Sequence, residues 1–474
     1  MNSLEHDRPP LAITLTEDRV EGFIEKIESI KKSKEIISSF NYYFECRIDF
    51  IKDINKMEKE EFISILNALK HYRNILIFTL RTKREGGHFS KIDKYFEYLN
   101  LAEDILKPKF LDVEAKFFME YKGNEESKEL LRKMDNEKFL RKMDNAIYDS
   151  KIKPAQLHDL LKKSHNNNTK VIGSFHIIDE SKDKKFLFNK LLDLYNLNFD
   201  ILKIASISKS VEDVKNMLDL PKDFLEYKKA YYKKINPNIA FDEKDIIIIS
   251  MGQLGKITRL YSNENAPFIF ATEKGKSKIG QIFYKDMEKY LSAIDKFKKS
   301  KKKNIYIIGF MGVGKTNFGN ILSKKLKLPF FDMDKLLEDV FKMSVEDYFS
   351  KFGEEAFRRE EAALLAILSE VGPCVISCGG GIVTNKENIF IMKKSGIIVE
   401  LYASLYTIKY NLRHSYKRPL LKDFFEKGEV LTLKKLFIER KDMYQGISDI
   451  SISRNKRVKS DFDRVIDLYL SYLK

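Results

Sequence analysis

The chain has 474 residues, enough for two or three domains that each bury a core of their own. Its formal charge is +16, from 86 lysines and arginines against 70 acids, but the basic residues are scattered and interleaved with acidic ones. That pattern argues against a dedicated nucleic-acid surface and makes compositional bias the plain explanation, with small anionic substrates the next.

The longest apolar runs, such as IIII at 246–249, fall far short of the ~18 residues that suggest a membrane span, so no membrane association is expected. The opening stretch MNSLEHDRPP has no apolar h-region, and Cys46, Cys374 and Cys378 form no C-x-x-C pair. A cytoplasmic protein with reduced thiols is the expectation.

In chain order, the first half alternates apolar strand-like runs with amphipathic helical stretches. The runs are LAITL (11–15), YYFECRID (42–49), ILIFTLR (75–81), KFLDVEA (109–115), KVIGSFH (170–176), FDILKIA (199–205), DIIIISMG (245–252) and PFIFAT (267–272). Near-continuous apolar runs separated by helices predict parallel strands buried on both faces, and eight of them is the count of a (β/α)8 barrel. Two connections are long. Residues 116–169 contain LRKMDN twice, at 131–136 and 140–145, which reads as a charged helical insertion, and residues 216–244 hold KKAYYKK, which reads as a solvated helix face.

Candidate chemical groups of this half fall at the carboxyl ends of the predicted strands, where a barrel builds its site. Glu45 and Arg47 alternate on the second run and share one face; Arg81 ends the third, with Glu85 four residues on. His176 ends the fifth run, Lys203 lies within the sixth, and Arg259 follows the seventh. Lys203 is embedded in ILKIA, where an unpaired ammonium is costly; burial of that kind favours the free amine that a Schiff base needs. His176 taken alone reads more readily as a satisfied core histidine.

A lysine-dense stretch, DKFKKSKKKN (295–304), has no hydrophobic periodicity and reads as a linker or the frayed end of a helix. The domains expected are therefore 1–294, a linker at 295–303, and 304–474. The second half opens with NIYIIGFMGVGKTNFGN (304–320), a strand, a glycine-rich loop and a helix start. Gly309, Gly314, Lys315 and Thr316 fit G-x-x-x-x-G-K-[ST], the loop whose backbone N–H groups wrap nucleotide phosphates. Lys315 is suited to the β- and γ-phosphates of ATP and Thr316 to Mg²⁺. Farther on, FFDMD supplies Asp332 and Asp334, and FRREE supplies Arg358 and Glu361. SCGGG brings Gly379, Gly380 and Gly381, KRPLL sets Arg418 in an expected lid, and ERKDMY adds Arg440. Two arginines outside the nucleotide loop suit an acceptor that carries a carboxylate, which guanidinium binds bidentately.

The order GxxxxGKT, DxD, FRxxE, GGG, RPLL, RxxxY over about residues 304–474 resembles that of the shikimate kinases. The resemblance implies a P-loop three-layer α/β/α kinase fold, with Asp334, Arg358 and Arg440 holding shikimate and Gly379, Gly380 and Gly381 behind its ring. It further implies ATP on Gly312, Val313, Gly314, Lys315, Thr316, Asn317 and, from the lid, Arg418, with Arg413 beside the adenine. Thr316 and Asp332 would serve Mg²⁺ through water, and Asp334 would orient or deprotonate the attacking hydroxyl. Asn317 stands where that family usually carries a hydroxyl residue.

The first half, with ECRID, FTLRTKREGG, GSFH, LKIAS, ISMGQLGKITR and SKIGQI in order over about residues 10–292, resembles type I 3-dehydroquinate dehydratase. By that resemblance Lys203 forms an imine with the substrate ketone, His176 acts as general base and acid, and Glu85 orients it. Glu45, Arg47, Arg81, Arg259, Ser277 and Gln281 would contact the substrate, with Thr14, Met251 and Phe270 nearby, and no cofactor is implied. Both resemblances together imply a bifunctional shikimate-pathway enzyme acting on 3-dehydroquinate, shikimate and ATP, with a homodimer through the barrel left open. The rival readings are one catalytic half with the other a scaffold, or a basic ATPase stimulated by nucleic acid.

Overall fold

The computed structural model describes residues 9–37, 41–119, 154–235, 245–261, 266–274, 280–300, 302–412, 430–455 and 460–472. The chain forms two compact units: residues 1–208, 216–251 and 262–284 make up the first, and residues 209–215, 252–261 and 285–474 the second.

The first unit carries one strand for each apolar run. They are β1 (Leu11–Leu15), β2 (Tyr42–Arg47), β3 (Leu76–Thr79), β4 (Phe110–Glu114), β5 (Lys170–Ile177), β6 (Ile201–Ile207), β7 (Asp245–Met251) and β8 (Ile269–Thr272). All pair in parallel, in the order β7-β6-β5-β4-β3-β2-β1-β8. Helices Val20–Ile37, Lys59–Leu69, Ile92–Leu101, Pro154–Asn166 and Lys184–Asn196 alternate with the strands, giving the (β/α)8 barrel class.

Strand alternation explains how one barrel holds both a dry core and a charged site. Ala12, Ile77, Phe110, Ile172, Ile201, Ile247 and Phe268 form one buried apolar cluster with Tyr43 packed on it. Two residues farther along the first six of these strands stand Thr14, Glu45, Thr79, Asp112, Ser174 and Lys203, all buried. A step of two keeps the side chain on the same face, so the polar set is the next layer toward the carboxyl ends of the strands. Burying these charges is tolerable only because each finds a partner of opposite sign or a hydrogen bond.

Of the two long connections, one differs from the sequence reading. Residues 120–153, with the LRKMDN repeats, lie outside the described residues. KKAYYKK falls at the end of a 25-residue helix, Val211–Ile235. Lys228 in it is 5% exposed, its Nζ 3.7 Å from the centre of the Tyr195 ring, so at that position the expected solvated face is buried. Of the two readings of the lysine-dense stretch, the helix end holds for its first residues. The helix Tyr284–Phe297 runs through Asp295, Lys296 and Phe297 because Phe297 is buried, which gives the final turn an apolar anchor.

In the second unit β9 (Asn304–Ile308), β10 (Phe330–Asp332), β11 (Val375–Ser377), β12 (Gly396–Tyr402) and β13 (Ile450–Ser453) form a parallel sheet ordered β10-β11-β9-β12-β13. Every residue of β9 is buried, as its central place demands. The helix Lys315–Leu326 begins straight after the glycine-rich loop that leaves β9. A long helix, Val345–Val371, breaks at Gly353, whose φ of 83° and ψ of 164° no helix accommodates.

Candidate active sites

At the carboxyl end of the barrel, Lys203 Nζ donates to Asp112 Oδ2 at 3.0 Å and lies 3.6 Å from Glu45 Oε1, with the Phe270 ring centre at 4.2 Å. Lys203 is 3% exposed. The sequence reading had burial without a partner favour the free amine; the structure differs, since two carboxylates stand beside Lys203 Nζ. Glu45 is fixed in turn by Thr14 Oγ1 at 2.7 Å and Thr79 Oγ1 at 3.3 Å.

Arg81 sits just beyond β3, fully embedded. Its guanidinium donates to Asp112 Oδ1 and Ser174 Oγ, both at 2.8 Å, and reaches Glu85 Oε2 at 3.4 Å. Ser174 Oγ donates to the same Asp112 oxygen at 2.7 Å. Burial works against charge on Asp112, yet Arg81 and Lys203 hold its carboxyl down to about 2. Arg47 forks onto Asp49 with two bonds of 2.8 Å.

His176, at the end of β5, places Nδ1 2.7 Å from Glu85 Oε2, and its backbone N–H donates to that oxygen at 3.1 Å. Burial, reinforced by Arg81 and Lys203, pushes the imidazole well below its ordinary value, so it stands neutral. Burial and then the Glu114 carboxylate push Glu85 well above the usual carboxylate range. Glu114 itself accepts from the Thr82 backbone and hydroxyl, both at 2.6 Å, which pins the turn that carries Glu85.

The structure therefore brings together Lys203, His176, Glu85, Glu45 and Arg81, with Thr14 and Phe270, as one buried network. Arg47 joins through Asp49, which accepts the Arg81 backbone N–H at 3.3 Å. Met251 ends β7, and Gln281 is half-buried after an undescribed stretch that includes Ser277. Arg259 is buried on the short helix Gly255–Tyr261, a stretch that groups with the second unit. Asp112, Ser174, Glu114 and Asp49 were missed. The signal for two of them was present, because Asp112 and Glu114 stand two apart inside an otherwise apolar strand.

In the second unit the glycine-rich loop folds around its own lysine: Lys315 Nζ donates to the carbonyls of Gly309 at 2.8 Å and Phe310 at 3.2 Å. Gly312, Val313, Gly314, Thr316 and Asn317 follow on that loop and the first helical turn. Asn411 Nδ2 donates to the Gly312 carbonyl at 2.8 Å. Thr316 Oγ1 donates to Asp332 Oδ2 at 2.5 Å, and Asp332 also caps the next helix through the Lys335 N–H.

Beside them opens a cavity of about 250 Å³ lined by Thr316, Asp332, Asp334, Arg358, Glu361, Gly379, Gly380, Gly381 and Arg440, with Val345, Phe349 and Phe357 as apolar wall. Arg358 is held by Glu361 at 2.7 Å and Glu354 at 2.9 Å, both on its own helix face. Arg440 and Tyr444 both donate to the Gly380 carbonyl, Arg440 at 3.1 Å. Two of the glycines expected behind a ring also make room for side chains. A Cβ on Gly381 would lie 2.2 Å from Arg358 Nη2, and one on Gly379 2.2 Å from Glu361 Oε1. Arg413 and Arg418 lie outside the described residues. Sequence reasoning named Glu361 without a role, held Tyr444 only within the RxxxY motif, and missed Glu354.

A buried amine with a neutral histidine at a barrel mouth is the equipment of a lyase, and a P-loop beside an arginine-lined cavity is that of a phosphotransferase. The chain thus carries two enzymes. Residues 11–298 match the family model for type I 3-dehydroquinase, and residues 311–470 match that for shikimate kinase. The chain is similar to a shikimate kinase of Sulfurihydrogenibium sp., 40% identical over 173 residues, covering 36% of this chain and 98% of that protein. One from Marinomonas sp. is 36% identical over 177 residues, covering 37% and 96%. Among solved structures, a 3-dehydroquinate dehydratase from Geobacillus kaustophilus covers 60% of this chain and 90% of its own at 21% identity, with a TM-score of 0.42. The chain belongs to the type I 3-dehydroquinase family through its first part and to the shikimate kinase family through its second, and is a bifunctional enzyme of the shikimate pathway. No helix among the described residues is long and apolar enough to cross a membrane.

Proposed function

We propose that the barrel dehydrates 3-dehydroquinate to 3-dehydroshikimate through an imine on Lys203, and that the second unit transfers phosphate from ATP to shikimate, giving shikimate 3-phosphate. The observation that carries the first half is the pairing of a buried lysine with a neutral histidine braced by Glu85. Lys203 plus ketone gives iminium plus water, and the iminium withdraws electrons from the neighbouring C–H. With Nδ1 engaged by Glu85, His176 Nε2 is the nitrogen left to take that proton and then return it to the departing hydroxyl. Glu45, Arg47 and Arg81 line the substrate, and Arg259, Ser277 and Gln281 are assigned to its carboxylate and hydroxyl end.

In the second unit Asp334 takes the role of orienting the attacking hydroxyl, while Arg358 and Arg440 bind the acceptor's carboxylate as guanidinium forks. Gly379, Gly380 and Gly381 form the wall behind it. The loop at Gly312, Val313, Gly314, Lys315, Thr316 and Asn317 cradles the nucleotide, with Arg418 reaching it from its own segment. Thr316 and Asp332 supply a hydroxyl and a carboxylate 2.5 Å apart, hard oxygen donors of the kind Mg²⁺ selects, directly or through water. That ion, when bound, neutralises phosphate charge. The boundaries assigned are 1–294 and 304–474, and the cytoplasm is the compartment assigned.

The test is to assay the purified chain with 3-dehydroquinate and, separately, with shikimate plus MgATP. Borohydride added during dehydration should fix ligand mass on the peptide holding Lys203. An adduct confined to another lysine would sink the imine assignment, and ATP turnover indifferent to shikimate would sink the kinase assignment.

A further inference from the structure

We propose that Asp112, on β4, is a positioning residue for the barrel's chemistry, holding positive charge on the Lys203 nitrogen both before and after that nitrogen joins the substrate. The proposal rests on the imine reading of Lys203 given above.

Asp112 is 1% exposed and receives three bonds from three other strand ends. Lys203 Nζ reaches one oxygen at 3.0 Å, while Arg81 at 2.8 Å and Ser174 at 2.7 Å share the other. One carboxylate thus ties the reacting amine to a fixed guanidinium. The other groups facing Lys203 are Glu45 from β2, 3.6 Å away, the Phe270 ring from β8, and His176 from β5, on which its charge acts. Glu85, Glu114 and Tyr95 face the Arg81 side of the network.

The bond changes define what such an anion does. An ammonium plus a ketone gives an iminium plus water: a C=N bond forms, the C=O bond breaks, and two of the three ammonium protons leave with the oxygen. One positive charge sits on nitrogen at both ends of the step, so an anion beside it has no charge to give up. Later, removal of the neighbouring proton requires the imine to stay protonated as the electron sink. A fixed carboxylate within hydrogen-bond reach favours that protonated form in a site where water is scarce. Asp112 suits the task because it remains charged at any working pH, burial notwithstanding.

The experiment measures the pH dependence of kcat/KM and kcat for dehydration in the full chain, together with cyanoborohydride trapping on the Lys203 peptide. In Asp112→Asn the acid limb of kcat/KM that reports the Lys203 nitrogen, and the alkaline fall in trapping that reports loss of the imine proton, should both move to lower pH. A shift of about one to three pH units is expected for losing an opposite charge at this distance. Ser174→Ala removes one bond to Asp112 and leaves its charge, so the carboxylate attracts the Lys203 nitrogen no less than before and both should stay in place or move slightly to higher pH. Movement of both to lower pH in that variant would overturn the proposal even if Asp112→Asn fails to fold. Unchanged limbs in Asp112→Asn, or limbs that move to higher pH there, would overturn it as well. Absence of any Lys203 adduct in the unaltered protein would instead overturn the imine reading, and Asp112's assignment with it.

Discussion

His176 Nδ1 lies 2.7 Å from Glu85 Oε2, on the side of the ring away from any incoming substrate proton if Nε2 is the base. Burial, then the charges of Arg81 and Lys203, keep this imidazole well below its ordinary value of 6.5. A base depressed in this way is neutral, hence competent, at every pH above its own lowered value. The acid limb of kcat/KM assigned to His176 should therefore fall below pH 6.5, apart from the limb that reports the Lys203 nitrogen. His176→Ala should abolish that limb and slow turnover by roughly 10²–10⁴. A limb near pH 7 that vanishes in this variant would contradict the neutral resting state.

Gly381→Ala tests the acceptor cavity. The added methyl would stand 2.2–2.4 Å from the Arg358 guanidinium, at the far end of a flexible side chain, so the fold survives and the arginine moves. Arg358 would lose its fork geometry toward the acceptor, and KM for shikimate should rise by about tenfold or more, as losing one charged hydrogen bond implies. KM for ATP should stay within about twofold, because the glycine-rich loop is untouched. Arg358→Lys should show the same split. Equal losses for both substrates would remove Arg358 from its assigned role.

Lys228 offers a stability test of the barrel. Burial pushes its ammonium down to about 8 from an ordinary 10.5. The folded state then binds fewer protons than the unfolded one between those values, so stability should rise with pH across that window. Below about pH 8 the cost of burying the charge is present in full, softened by the Tyr195 ring. Lys228→Met should stabilise the barrel at pH 7 by roughly 1–2 kcal/mol and flatten the rise. The urea midpoint for loss of dehydratase activity, followed from pH 7 to 10, reads the barrel alone. Destabilisation by Met at pH 7 would mean that Lys228 contributes more through its contacts than its burial costs.

Much of this was legible because strand periodicity and site chemistry coincide. The eight apolar runs became eight strands within about two residues at nearly every end, since near-continuous Ile, Leu and Phe leave a buried parallel strand little freedom. Lys203, His176 and Glu85 were legible from residue type and place. Their counter-charges were not, because which carboxylate meets Lys203 is set by register across strands: Asp112 is 91 residues away in sequence. Lys228 was misjudged for a related reason. A lysine among lysines reads as solvated until the neighbouring helix with Tyr195 is in place. What the glycine run did not show is that Gly379 and Gly381 also make room for Glu361 and Arg358.

The two activities should be separable by single substitutions in the intact chain. The barrel's proposed product is a conjugated ketone, whereas the kinase's proposed acceptor is an alcohol one reduction later, so neither site uses what the other releases. Lys203→Ala should remove dehydration and leave phosphorylation of shikimate within about twofold, since Lys203 is buried in the first unit among Asp112, Glu45 and Phe270. Lys315→Ala should do the reverse: its ammonium bonds to the Gly309 and Phe310 carbonyls of its own loop. Mixing the two variants should restore both activities additively, without lag or synergy, when each is assayed at saturating substrate. A purified reductase supplied between them should then carry 3-dehydroquinate through to shikimate 3-phosphate at the same rate with mixed variants as with the unaltered chain. A faster overall rate in the unaltered chain, at equal concentrations of both active sites, would show that joining the enzymes does more than fix their ratio.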